Sequence, residues 1–321
     1  MTVVDDLAVL PGWQVDAGTT LTLPCPSGMT EVARAFLNDA TTEAAIPRPA
    51  ATVMLLRPGR RGQARGDVEV FMLQRSPRMA FAAGAIVFPG GRVDPGDEQL
   101  PPWAGPDPGE WAAWLGCPAP QAASIVTAAV RELFEESGVL LAGDSHGRHV
   151  AGCDGPGWAV DRERLSTHAA TLADVLTERG LVLRSDLLGI RGHWLTPEFE
   201  PRRYDTYFFT ALVPAGQRPD GRTTEAVAHR WAQPAAVIQS AVAGEVLLMP
   251  PTACSIAQLA ACDEIERFAL DRLSVERTMF VPAVQHDDSI ALTCLLPRAL
   301  RAAMEAETSR MSSSGCRCGN R

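Results

Sequence analysis

The stretch Arg131-Glu132-Leu133-Phe134-Glu135-Glu136-Ser137-Gly138 constrains this chain more than any other. At about 100° per residue, Val126, Val130, Leu133 and Phe134 share one helix face, and Glu132, Glu135 and Glu136 share the opposite one. The i, i+3, i+4 spacing brings the three carboxylates together. Arg131 lies one turn before Glu135 and can pair with it, while Gly138 is placed to end the helix in the left-handed conformation. A solvated acidic face would also carry glutamates. But adjacent carboxylates near a helix C-terminus repel one another and oppose the helix dipole; stability alone would favour arginine there. Divalent cations remove the conflict. Mg2+ prefers carboxylate oxygens and also binds phosphates, so the helix points to phosphoryl chemistry, with metal as electrophile and hydroxide source.

The rest of the composition narrows the chemistry. The 321 residues are 46% hydrophobic and 21% charged, which fits one large folded domain or a domain with attachments. A net charge of -9 argues against a general nucleic-acid binder. All 29 basic residues are arginine. A Schiff-base or P-loop lysine is therefore excluded, and any phosphate clamp must use arginine, backbone N–H groups or metal. The chain contains no apolar run long enough to span a bilayer, and "MTVVDDLAVLPGW" lacks the basic start of a signal peptide, so a cytoplasmic location with no membrane partner is expected. The cysteines form no C-x-x-C pair, and Cys316 and Cys318 lie in the polar tail; buried free thiols fit the others better than a zinc site. His146 and His149 fit a solvated Gly-rich loop better than a metal pair.

Residues 1–46 read as an N-terminal extension with a short helix near "MTEVARAFLNDA", ending at Pro47 and Pro49. "ATVMLLRPG" and "DVEVFMLQRS" read as hairpin strands joined by the loop "RGQARG". Residues 98–120, rich in Pro, Gly and Trp, read as an inserted loop with a short helix at "EWAAWL". Helices are expected over 121–137, 161–180, "PAAVIQSAVAGE" and "TACSIAQLAACDEIERFALDRL", and strands at "GIRGHWLT", "YDTYFFTALVP" and "EAVAHRWAQP". "MFVPAVQHDDSIALTCLLP" reads as a hairpin turning at Asp287-Asp288-Ser289. Strands and helices mix without regular alternation, which predicts an α/β or α+β fold with a mixed sheet.

Arg131 to Val139 resembles the second half of the Nudix box, and "GGRVDPGD" resembles its first half, with Asp97 where the family carries glutamate. The family expects seven residues between that acid and the arginine; here residues 98–130 intervene, 33 in all. Such an insertion is similar to that of the large Nudix subfamily of the peroxisomal coenzyme A diphosphatase. Arg75-Ser76, Gly84 and Phe88 to Gly91 match the stretch before the box in coenzyme A-cleaving members, although Ala80 stands where those place an arginine and Arg78 lies two residues earlier. "RRYDTYFF", "EAVAHRWAQPAAVIQSAVAGE" and "PPT" at 250–252 extend the resemblance.

The resemblance implies an α/β/α sandwich with a mixed sheet, with a Nudix domain over 47–300 and a C-terminal tail from 301 to 321. It implies hydrolysis of a nucleoside diphosphate linked to another group. Glu132, Glu135 and Glu136 would hold Mg2+ or Mn2+; one of them, or Glu225, would be the general base, and Arg131 would orient Glu135. Gly90 and Gly91 would let the loop approach the metal helix closely, and Arg75, Phe88, Arg202 and Arg203 are candidate substrate contacts. Trp103, Trp111 and Trp114 would form either an aromatic lid or, preferably, a hydrophobic plug anchoring the insertion. The leading substrate is coenzyme A or acyl-coenzyme A; NADH, ADP-ribose or a nucleotide sugar is the alternative, and a catalytically inactive nucleotide-binding module a third reading. A homodimer is compatible with each.

Overall fold

The computed structural model describes residues 3–16, 19–39, 41, 43–59, 67–76, 84–144, 146–221 and 226–305. The loop "RGQARG", Arg78, Ala80, Glu225, Cys316 and Cys318 lie outside them. In chain order the strands are β1 (Gln14–Val15), β2 (Thr20–Pro24), β3 (Arg48–Pro58), β4 (Val68–Arg75), β5 (Ala85–Val87), β6 (Gly90–Arg92), β7 (Trp103–Ala104) and β8 (Ala142–Gly143). They continue with β9 (Val182–Arg184), β10 (Gly189–Leu195), β11 (Tyr204–Leu212), β12 (Ala226–Ala232), β13 (Leu247–Leu248), β14 (Arg277–Met279), β15 (Val281–Val284) and β16 (Ile290–Leu295). The helices are α1 (Val3–Ala8), α2 (Ser27–Asn38), α3 (Pro108–Leu115), α4 (Ala119–Ser137), α5 (Pro156–Ser166), α6 (Leu172–Glu178), α7 (Pro234–Val242), α8 (Pro250–Ala260) and α9 (Ile265–Leu270). None of these helices is long and apolar enough to cross a membrane.

The main sheet is mixed. β3 runs parallel to β11 and antiparallel to both β4 and β6, and β10 lies antiparallel to β11. Side-chain alternation along these strands divides the interior into two cores. Met54 and Leu56 of β3, Val70 and Met72 of β4, and Phe208 of β11 face one core with residues of α1, α7, α8 and α9. Val53 and Leu55, Phe71 and Leu73, and Tyr207 and Phe209 face the other, with α3, α4 and α6. Helices therefore cover both faces, as in the expected α/β/α sandwich.

The termini close one end. β2 pairs antiparallel with β16, and β1, β2, β16 and β15 make a separate four-stranded sheet. Leu21 and Leu23 of the N-terminal extension are buried in the same core as Met54 and Leu292. The described residues of 3–16 and 19–39 are thus integrated with the C-terminal hairpin.

The short helix expected at "EWAAWL" within the insertion is present as α3: Asp107 caps it through Gly109 and Glu110 N–H groups at 2.8 and 2.9 Å, Glu110 returns the bond, and Gly116 ends the helix at φ 69°. Two other expectations need correction. The 161–180 helix is two helices, because Thr171 starts α6 with its own capping box to Asp174. The helix expected through "TACSIAQLAACDEIERFALDRL" breaks between α8 and α9 at residues 261–264. There Phe268 and Ala269 turn inward, and Thr210 Oγ1 donates to the Ala269 carbonyl at 2.8 Å.

Trp111 is the plug of the insertion. It is fully buried, packed edge-on to Trp114 at 5.2 Å and tilted against Phe209 at 5.8 Å, while its indole nitrogen has no hydrogen-bond partner among the described residues. Trp111→Ala is expected to cost about 3–5 kcal/mol in urea unfolding. Trp111→Phe should cost clearly less, since it loses no hydrogen bond and retains an aromatic ring.

Candidate active site

α4 carries the glutamates, and its sequence explains their placement. Val126, Val130, Leu133 and Phe134 are fully buried against the sheet, which turns Glu132 and Glu135 toward the opposite side. Gly138 ends the helix at φ 74°, its N–H donating to the Phe134 carbonyl at 2.8 Å. Arg162 of α5 donates to the Glu135 carbonyl at 2.9 Å, so a cation caps the end where the helix dipole is negative.

The two halves of the motif are in direct contact. The Gly90 N–H donates to Glu136 Oε2 at 2.7 Å. Arg131 donates through Nε and Nη2 to the two oxygens of Asp97 at 2.8 and 2.9 Å, and through Nη2 to the Arg92 carbonyl at 2.9 Å. Its Nη1 donates to Glu132 Oε1 and Glu135 Oε1, each at 3.0 Å. Arg131 thus orients two glutamates where the sequence suggested one. Asp97 is 2% exposed and also accepts the Asp94 N–H at 2.8 Å, so the shorter acid serves as a buried tether between loop and helix. A Cβ on Gly91 would overlap the Glu132 carboxylate, and one on Gly90 would overlap the Ala51 carbonyl. Only glycine permits this approach.

Burial works against charge here. Desolvation, opposed by Arg131 and reinforced by Glu135, pushes Glu132 up to about 7. Desolvation also raises Glu135, although Arg131 pulls it back. Burial disfavours the Arg131 cation, but the Asp97 hydrogen bonds and the neighbouring carboxylates outweigh that and hold it above its ordinary range. The carboxylates are an all-oxygen donor set under electrostatic stress, which suits a hard divalent cation. Among the described residues, however, no three acidic, His or Cys side chains converge closely enough to enclose an ion. Arg131 and the Gly90 N–H each hold carboxylate oxygens instead, so closing around a cation requires the glutamate side chains to rotate.

Two cavities border the glutamate face. One, of about 690 Å3, is lined by Glu132, Glu135, Glu136, Arg162, Glu163 and Arg218. The other, of about 500 Å3, is lined by Arg75, Phe88, Gly90, Gly91, Glu132, Glu135 and His168. Arg75 Nε is buried there without a hydrogen-bond partner among the described residues. Arg203 departs from its expected role. Its guanidinium is buried, donates to the Thr196 and Ala45 carbonyls at 3.1 and 3.0 Å, and lies outside the lining of both cavities. Arg202 is exposed. His149 is exposed, its Nε2 3.2 Å from the Ala215 carbonyl oxygen, and Cys153, Cys254, Cys262 and Cys294 are buried free thiols.

Arg162, Glu163 and His168 were missed in the sequence. The capping box at Thr171 and Asp174 was the available signal, because it ends the preceding helix early and leaves His168 in a turn at φ 55°.

Residues 110–259 match the family model described as the NUDT19 Nudix domain. The acyl-coenzyme A diphosphatase NUDT19 of Gallus gallus is 30% identical over 275 residues, covering 70% of this chain and 72% of that protein. The chain belongs to the Nudix hydrolases. The Homo sapiens protein of the same name is 29% identical over 244 residues, covering 63% of this chain and 64% of that protein. A Nudix hydrolase structure from Alicyclobacillus acidocaldarius superimposes with a TM-score of 0.59 at 27% identity, covering 72% of this chain and 98% of that one. In this Nudix hydrolase, Asp97→Asn is expected to lower stability by about 1.5–3 kcal/mol in urea unfolding, by weakening charge-assisted bonds to Arg131.

Proposed function

We propose that this Nudix hydrolase cleaves the pyrophosphate of coenzyme A or an acyl-coenzyme A, with Mg2+ or Mn2+ held by Glu132, Glu135 and Glu136. The observation that carries this reading is that Arg131 and the Gly90 N–H together fix three glutamates, of which Glu132 and Glu135 line both cavities and Glu136 the larger one. The similarity to the chicken acyl-coenzyme A diphosphatase supports the choice of substrate. A bound divalent cation would supply Lewis acidity and neutralise charge on the pyrophosphate. Arg131 holds Glu132 and Glu135 in place, and the Gly90 N–H holds Glu136. Arg75 lines the adjoining cavity, where its guanidinium would take a phosphate oxygen. Glu163, exposed on the wall of the other cavity, is a second candidate beside Glu225 for accepting the proton of the attacking water.

The test is incubation with coenzyme A, acyl-coenzyme A, NADH and ADP-ribose plus Mg2+ or Mn2+, with products read by mass. The expected products are 3′,5′-ADP and the 4′-phosphopantetheine fragment. Preference for a substrate lacking the 3′-phosphate would sink the coenzyme A reading. EDTA, Glu135→Gln and Glu136→Gln should each reduce kcat at least about 100-fold with the fold intact by circular dichroism. Of Glu163→Gln and Glu225→Gln, the variant that removes the acidic limb of the kcat/KM pH profile identifies the base.

A further inference from the structure

The lining of the smaller cavity falls into two groups. Glu132, Glu135, Arg75 and Arg92 are charged; Leu23, Met29, Trp194, Phe208, Phe280 and Leu292 are an apolar group that belongs to or packs on one hydrophobic core, and Glu200 also lines the cavity. The apolar group is built by the terminal extensions as much as by the main sheet. Leu23 of β2 and Leu292 of β16 are register partners and are 3% and 4% exposed. Trp194 stacks on Phe280 with ring centroids 5.8 Å apart and planes at 13°, and Phe208 meets Phe88 edge-on at 6.4 Å. Met29 of α2 is half-buried against the same core. A chamber lined by such an apolar group and by carboxylates and arginines fits a molecule with a charged middle and an uncharged, flexible arm. Its volume of about 500 Å3 lies within the usual range for small-molecule clefts.

We infer that this chamber receives the acyl-pantetheine arm of the substrate, and that Met29, with Leu23, Phe280 and Leu292, sets the acyl length accepted. The inference rests on the coenzyme A reading above and extends it. The opposite orientation is disfavoured by charge: a phosphorylated nucleoside against the apolar group would lose its hydration without a cation beside it. The larger cavity, across the glutamate face, offers Arg218, beside Arg162, which is bound to Asp220 and the Glu135 carbonyl, and suits the nucleotide end. The N-terminal extension thereby gains a function, because it supplies Leu23 and Met29 to the chamber wall.

The test measures kcat/KM for coenzyme A and for its acetyl, butanoyl, hexanoyl, octanoyl and palmitoyl thioesters with Mg2+ present. The expected result is a rise of up to about fourfold per added methylene until the chamber is filled, then a plateau or fall. Met29→Trp, which fills the chamber, and Met29→Glu, which charges it, should each lower the octanoyl-to-free coenzyme A ratio at least tenfold. Thermal melting checks that both variants fold. Binding of the same thioesters in EDTA, followed by tryptophan fluorescence, should give the same order for the wild type without turnover. If coenzyme A is cleaved but the wild-type profile is flat, or the Met29 variants keep the wild-type ratio, the chamber assignment fails and the diphosphatase reading stands. If neither coenzyme A nor any thioester is cleaved while NADH or ADP-ribose is, both fall together.

Discussion

Arg131 is the point on which the site depends. Its guanidinium binds both oxygens of Asp97, one oxygen each of Glu132 and Glu135, and the Arg92 carbonyl. A planar donor fork suits this task because it can serve several acceptors in fixed directions, which an ammonium cannot do as well. Without a central cation, packed carboxylates on a helix C-terminus would repel one another and the helix dipole. With it, desolvation and mutual repulsion still raise Glu132 to about 7, so the cluster retains an unsatisfied demand for positive charge. That residual stress distinguishes this helix from an ordinary solvated acidic face.

The sheet makes such an arrangement affordable in stability. Alternate residues of β3, β4 and β11 enter opposite cores, so the glutamate helix rests on a rigid layer packed from both sides. The insertion adds to that layer through Trp111, which packs on Phe209 of the central sheet. It therefore supports the helix from outside, while the smaller cavity is walled by segments from both termini. Trp111 thus takes the part of the hydrophobic plug preferred for the insertion, not that of an aromatic lid.

Much was legible in the chain because it is encoded locally. The apolar period of α4, its glycine end, the spacing of the glutamates and the Arg131–Glu135 contact all follow from helix geometry within a few residues. The alternation along β3, β4 and β11 is local too. What is not legible is a short signal that competes with a longer pattern. The capping boxes at Asp107 and Thr171 are weaker in the sequence than composition and helical period, yet they start α3 at Pro108 and divide 161–180 between α5 and α6. Residue type alone makes Arg203 a phosphate ligand, whereas its buried guanidinium donates to backbone carbonyls.

By itself the sequence determined the glutamate-bearing helix, the mixed α/β architecture and the family resemblance, since each depends on residue type at fixed short spacing. Only the tertiary structure decided what those parts face. Asp97 reaches Arg131 across 34 positions because α3 and the first part of α4 fold back on the sheet and return the chain to its starting point. Leu23 meets Leu292 because the two ends of the chain pair as neighbouring strands. Contacts between residues so far apart close large loops, and whether they form depends on the packing of everything between them rather than on any local preference.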